Sequence, residues 1–93
     1  MAVYSISYDL NSPGQKHRGL ADYLSSQGGV RVMETHWLLP SLKSANVIKT
    51  ELQVLGLVDS NDVLLVSEIT ITNFDGVNVY ENAIIKQFLT NRF

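Results

Sequence analysis

An α+β fold, with a small antiparallel sheet backed by helices, is predicted from the order of three kinds of segment. Residues alternate as a strand over Val3–Leu10, helical spacing begins a few residues later, and two further stretches are dense in β-branched and aromatic residues. At 93 residues the chain is expected to form one domain spanning 1–93, with much surface for the core it can bury.

The first strand has Tyr4, Ile6 and Tyr8 on one parity and Val3, Ser5, Ser7 and Asp9 on the other, so one face is apolar and one polar. Ser12-Pro13-Gly14-Gln15 reads as a turn or a capping box in which Ser12 caps, Pro13 opens the helix and Gln15 reaches back. Leu20, Ala21, Tyr23 and Leu24 then share a helix face, and Gly28-Gly29 ends it. Val30–Leu39 is rich in strand formers and is closed by Pro40. It reads as one long strand or as two short ones bent at Glu34-Thr35, where a polar pair suits a bend or bulge. Ser44 is a good N-cap for a second helix that buries Ile48, Leu52 and Leu55, with Val47 beside them and Gly56 as its stop. Asp59-Ser60-Asn61-Asp62 is a turn. The strand Val63–Thr72 follows, and its Val-Leu-Leu-Val start predicts burial on both faces and a central position. After a turn at Asn73–Gly76, a last helix is expected from an Asn78 cap, with Glu81 three residues on, through Tyr80, Ala83, Ile84 and Phe88.

With right-handed crossovers, the first and last strands are expected side by side and parallel beneath two helices, the split βαβ or ferredoxin-like arrangement. The expected fold is thus an antiparallel ferredoxin-like sheet with two helices on one face plus a C-terminal helix. That last helix would cover the open sheet face or reach across to a partner.

Bulk properties narrow the function classes. Hydrophobic residues make up 45% of the chain and mean hydropathy is +0.07, a surplus that points to burial against a second copy unless a tight core absorbs it. A net charge of −2 gives no overall attraction to a nucleic-acid backbone, although a dimer can join two local basic patches. The lack of cysteine excludes disulfides and thiolate metal sites. The N-terminus has no basic lead before a long apolar core, and no segment nears the roughly 20 apolar residues of a membrane span. A cytoplasmic protein without membrane contact is expected.

Asp9 is the leading candidate for chemistry, because it closes a strand that feeds a crossover loop. A carboxylate there can hold a hard divalent cation, and two copies meeting at a dimer axis would double the charge. The alternative role is purely local, with Asp9 accepting backbone N–H bonds of the loop. Glu34, His36 and Glu68 are also polar residues within strands and would join Ser5, Ser7 and Asp9 on one face if their parities align. His17 and His36 lack the HxH and HExxH spacings of metal sites. Lys16 and Arg18, with His17, form a local basic cluster at a helix start and are weak candidates for holding a phosphate. Tyr8 and Trp37 are expected as core or dimer anchors. No phosphate-binding glycine loop is present, and no serine or cysteine nucleophile with a paired histidine is expected.

Several stretches together resemble the SinR-like family of small bacterial proteins. They are Tyr8-Asp9-Leu10-Asn11 with Pro13-Gly14-Gln15, Glu34-Thr35 with Trp37, Ser44-Ala45-Asn46 with Ile48, and Asp59 with Asn61-Asp62, Leu64-Leu65-Val66 and Glu68-Ile69. The resemblance runs from Tyr4 to Ile69 and fades beyond Thr72. His36 stands where that family usually has a further serine or threonine before the tryptophan. The family is similar in turn to the small subunit of the CRISPR spacer-acquisition complex and to the virulence-associated D-type toxins. The resemblance implies a ferredoxin-like homodimer with RNA or DNA as partner. Its shared mark is the Tyr-Asp pair closing the first strand, which carries over only to Tyr8 and Asp9. Relatives described as metal-dependent endonucleases imply Mg2+ or Mn2+ at Asp9, and the toxin relatives imply a toxin–antitoxin component as a further reading. The leading expectation is a homodimeric, nucleic-acid-associated, non-catalytic interaction module. Its alternative is a divalent-metal-dependent endoribonuclease using Asp9 at the dimer axis.

Overall fold

The structure, a computed structural model, describes residues 2–11, 15–70 and 77, with the side chains of Gln15 and Lys16 outside the described part. Its elements are β1 (Ala2–Asp9), α1 (Gln15–Ser26), β2 (Val30–Met33), β3 (His36–Ser41), α2 (Ala45–Val54) and β4 (Val63–Ile69). They form an α+β domain whose four-stranded sheet has the order β2-β3-β1-β4, compatible with a ferredoxin-like arrangement. The expected capping residues Ser12–Gly14 and the C-terminal helix from Asn78 lie outside the described residues.

Every neighbouring pair of strands is antiparallel, including β1 with β4. The first and last strands are therefore adjacent as expected, but they run in opposite directions rather than parallel. Each helical crossover returns the chain to begin a strand in the direction of the one before it. The β2–β3 hairpin adds one reversal between the two crossovers, so β4 opposes β1. That hairpin turns through Glu34 and Thr35, which makes Val30–Leu39 two paired strands and not one bent one. A register shift between Arg31 and Met33 marks a bulge in β2. β3 also continues past Pro40, which sits opposite Val3, and ends at Ser41.

Both helices pack on the sheet face that carries Tyr4, Ile6 and Tyr8. There Leu20 and Leu24 of α1 and Ile48 and Leu52 of α2 join Trp37, Leu39, Leu10 and Val58 in the main core. Ile6, Leu20, Leu24 and Leu52 are fully buried, and each such side chain contributes about 1.5–3 kcal/mol of transfer free energy. Gly28, at φ 87°, adopts a left-handed conformation that ends α1 where the sequence places the stop. Ser44 caps α2 by accepting from the Val47 amide at 3.3 Å, and Gly56 follows the helix at φ 73°. Leu55, expected inside, is 55% exposed, because α2 ends at Val54 and Leu55 already belongs to the cap.

β4 departs most from expectation. It is an edge strand among the described residues, with Val63 63% and Leu65 62% exposed. Leu64 and Val66 face the helices and are partly buried against the main core. A continuous apolar run does not by itself distinguish a strand enclosed on both sides from an edge strand with one uncovered face.

Candidate functional site

The alternation of β1 puts Val3, Ser5, Ser7 and Asp9 on the sheet face opposite the helices. The register brings Ser67 beside Ser5, Leu65 beside Ser7 and Val63 beside Asp9 from β4. From β3 it brings Leu38 beside Ser5 and His36 beside Ser7. One end of this face is closed. Val3, Leu38 and Val32 are buried there in a second small cluster, with Val30 and Ile69 packed against it. Toward Asp9 the face opens: Ser5, Ser7 and His36 are half-buried, while Ser67 and Asp9 are exposed.

Within that opening Ser5 Oγ and His36 Nε2 are hydrogen-bonded at 2.5 Å. The bond runs diagonally across the β1–β3 ladder, since Ser7 is the residue directly opposite His36. Burial holds His36 below its ordinary pKa and favours the neutral imidazole. A serine–histidine pair was not expected from the sequence, because the two residues are 31 apart and only the fold brings them together. The available signal was parity, which already grouped His36 with Ser5, Ser7 and Asp9. The same grouping fails for Glu68, which lies opposite Tyr4 and so belongs to the other face, and for Glu34, which sits in the hairpin turn.

Asp9 is the exposed last residue of β1. Beyond it Leu10 is buried, and the Asn11 amide donates to Asp62 Oδ1 at 2.8 Å. The Asn11 side-chain amide also donates to the Asn61 carbonyl. Asp62 Oδ2 accepts from the Asp59 amide at 3.0 Å, and Asp59 Oδ1 accepts from the Asn61 amide at 2.9 Å. Asp62 thus ties the residue that follows Leu10 to the turn before β4.

Tyr8 and Trp37 are both 5% exposed and lie in the core, where the Trp37 indole N–H donates to the Tyr8 hydroxyl at 3.1 Å. The His17 ring packs against Tyr8 at 5.9 Å, and the Arg31 guanidinium lies 5.1 Å from the centre of the Trp37 ring. Arg18 is exposed on α1, and the side chain of Lys16, the other phosphate candidate, is outside the described part. Among the described residues no group of three or more His, Cys, Asp or Glu is placed to share a metal ion. A Mg2+ ion needs no such cage, however. One or two carboxylates with waters and substrate phosphate oxygens suffice, and Asp9, exposed at the end of β1, is one such carboxylate.

A shallow depression of about 490 Å3 lies on the helical side, lined by Tyr23, Gln27, Lys43, Thr50, Glu51 and Val54. Tyr23, Lys43 and Glu51 are already engaged with one another. Lys43 Nζ pairs with Glu51 at 2.7 Å, and the Tyr23 hydroxyl donates to Glu51 Oε2 at 3.3 Å. Burial, followed by the Glu51 charge, raises the Tyr23 pKa, which keeps that hydroxyl a donor. The open half of the sheet face is the stronger candidate. No helix among the described residues is long and apolar enough to cross a membrane. Compared with known proteins, the chain matches no family model, and neither curated proteins nor solved structures give a significant match.

Proposed function

We propose that this chain is a homodimeric interaction module, ferredoxin-like in fold and nucleic-acid-associated, that acts by binding and not by catalysis. The observation that carries the dimer is the open half of the sheet face. Val63 and Leu65 on one side and Met33, 54% exposed, on the other border the neutral Ser5, Ser7, Ser67 and His36. Asp9 is the one formal charge that the strand registers place on that half among the described residues, so a second copy can approach with little like-charge repulsion. The nucleic-acid part rests on the SinR-like resemblance, and exposed Arg18 offers it a local cation. Sedimentation velocity at micromolar concentration should return a dimer. Leu65→Asp should shift it to a monomer while leaving the far-ultraviolet circular dichroism unchanged, since Leu65 is 62% exposed and outside the core. A wild-type monomer under those conditions overturns the proposal.

A second reading is favoured by the exposed position of Asp9 at the end of β1, on the same face as the proposed contact. Two copies would each supply one carboxylate toward a Mg2+ or Mn2+ ion, which when bound would polarise a phosphate of RNA. In this reading Asp9→Asn abolishes metal-dependent cleavage of labelled RNA and leaves the dimer folded. Full cleavage by that variant removes Asp9 from any catalytic role.

A further inference from the structure

We propose that the Ser5–His36 pair makes assembly of this chain sensitive to pH, with the neutral imidazole permitting a second copy to dock and the imidazolium opposing it. The inference rests on the dimer reading above and adds its regulation. His36 projects from β3 onto the open half of the face, directly opposite Ser7 and bonded to Ser5 at 2.5 Å. Docking a second copy there removes water from His36 and brings a second His36 to the same contact. A neutral ring tolerates this, because Ser5 satisfies Nε2 within one subunit. A charged ring must lose hydration and approach another cation.

The surroundings offer few charges to offset that cost. On β1 the neighbours are the uncharged Ser5 and Ser7, with Asp9 one same-face position farther toward the strand end. On β4 they are Leu65 and Ser67, and on β2 the residue opposite is Met33, while Arg31 lies opposite Trp37 and so belongs to the helical face. Glu34, in the turn before His36, is exposed. The two carboxylates therefore sit where solvent screens them. Burial already outweighs them in the single chain, since the His36 pKa is lowered with desolvation as its cause.

Removing further water from His36 in the contact lowers its pKa below the already lowered value it has in the single chain, so assembly is unaffected above that single-chain pKa, itself under the ordinary histidine value of about 6.5, and weakens as pH falls through it. For each unit by which assembly lowers the His36 pKa, the dissociation constant rises about tenfold per protomer at acidic pH.

Sedimentation equilibrium between pH 8.0 and 5.5, with circular dichroism at each pH to confirm folding, provides the test. The expected result is a dimer that weakens progressively toward pH 5.5, with a flat profile for His36→Gln, whose amide can still bond Ser5 but cannot titrate. In parallel, the imidazole resonances of the 2 histidines are titrated by NMR above and below the dissociation concentration, and the His36 pKa should be lower in the dimer. Should the variant fail to fold, this wild-type titration decides alone. A dimer with no pH response, an unchanged response in His36→Gln, or a His36 pKa independent of concentration overturns the inference and leaves the dimer standing. A monomer at every pH overturns the dimer itself.

Discussion

At the scale of single residues, the indole of Trp37 links three parts of the fold. Its N–H donates to the hydroxyl of Tyr8 on β1, and its ring is covered by Arg31 from β2. Both aromatic residues are buried, so Tyr8→Phe leaves an indole donor without that partner inside the core. Urea unfolding should report a loss of about 1–3 kcal/mol with little change in slope. The sequence marks Tyr8 and Trp37 as anchors, because each is a large aromatic within a strand-forming stretch. It does not reveal their bond, since Trp37 lies directly opposite Ile6 and reaches Tyr8 only across the ladder. The Ser5–His36 bond was hidden for the same reason. Alternation assigns a face to each residue, whereas partners on that face depend on a register that only the assembled sheet defines.

At the scale of elements, local signals proved readable wherever a backbone requirement dictates the residue. Ser44 is an N-cap, and its hydroxyl accepts from the Val47 amide. Ser44→Ala should therefore lower stability by about 1 kcal/mol, seen as a fall in thermal midpoint without loss of the fold. Gly28 could be read as a helix stop because positive φ strains any residue with a β-carbon. Val63–Val66 contains no polar residue to show which parity of β4 faces outward. Tertiary placement decides that question: α2 covers Leu64 and Val66, and the opposite parity is left exposed. The same placement makes Leu65→Asp a test of association and not of folding.

At the scale of the whole molecule, strand adjacency followed from the order of elements, but strand direction did not. Treating Val30–Leu39 as one strand or two changes the number of reversals between β1 and β4 and hence their relative orientation. The candidate site lay between these levels. Ser5, Ser7, Asp9 and His36 were gathered correctly by parity, while Glu34 and Glu68 were lost to a turn and to the opposite face. In the proposed paired-carboxylate reading each copy supplies one Asp9, so the Asp9→Asn experiment belongs on the assembled protein.

The pairing of β1 with β4 also governs the order in which the chain can fold. The Asn11 amide meets the Asp62 carboxylate across 51 residues, and the rest of the β1–β4 ladder spans still longer separations. Closing so long a loop costs entropy before any contact compensates, which slows the folding of a topology rich in distant contacts. During synthesis β1 emerges before β3 and β4, and one of its flanks has none of the described strands to meet until β4 has left the ribosome. A strand that is interior in the finished sheet is thus an edge until β4 arrives, with Ser5, Ser7 and their backbone amides open to the first extended segment that passes.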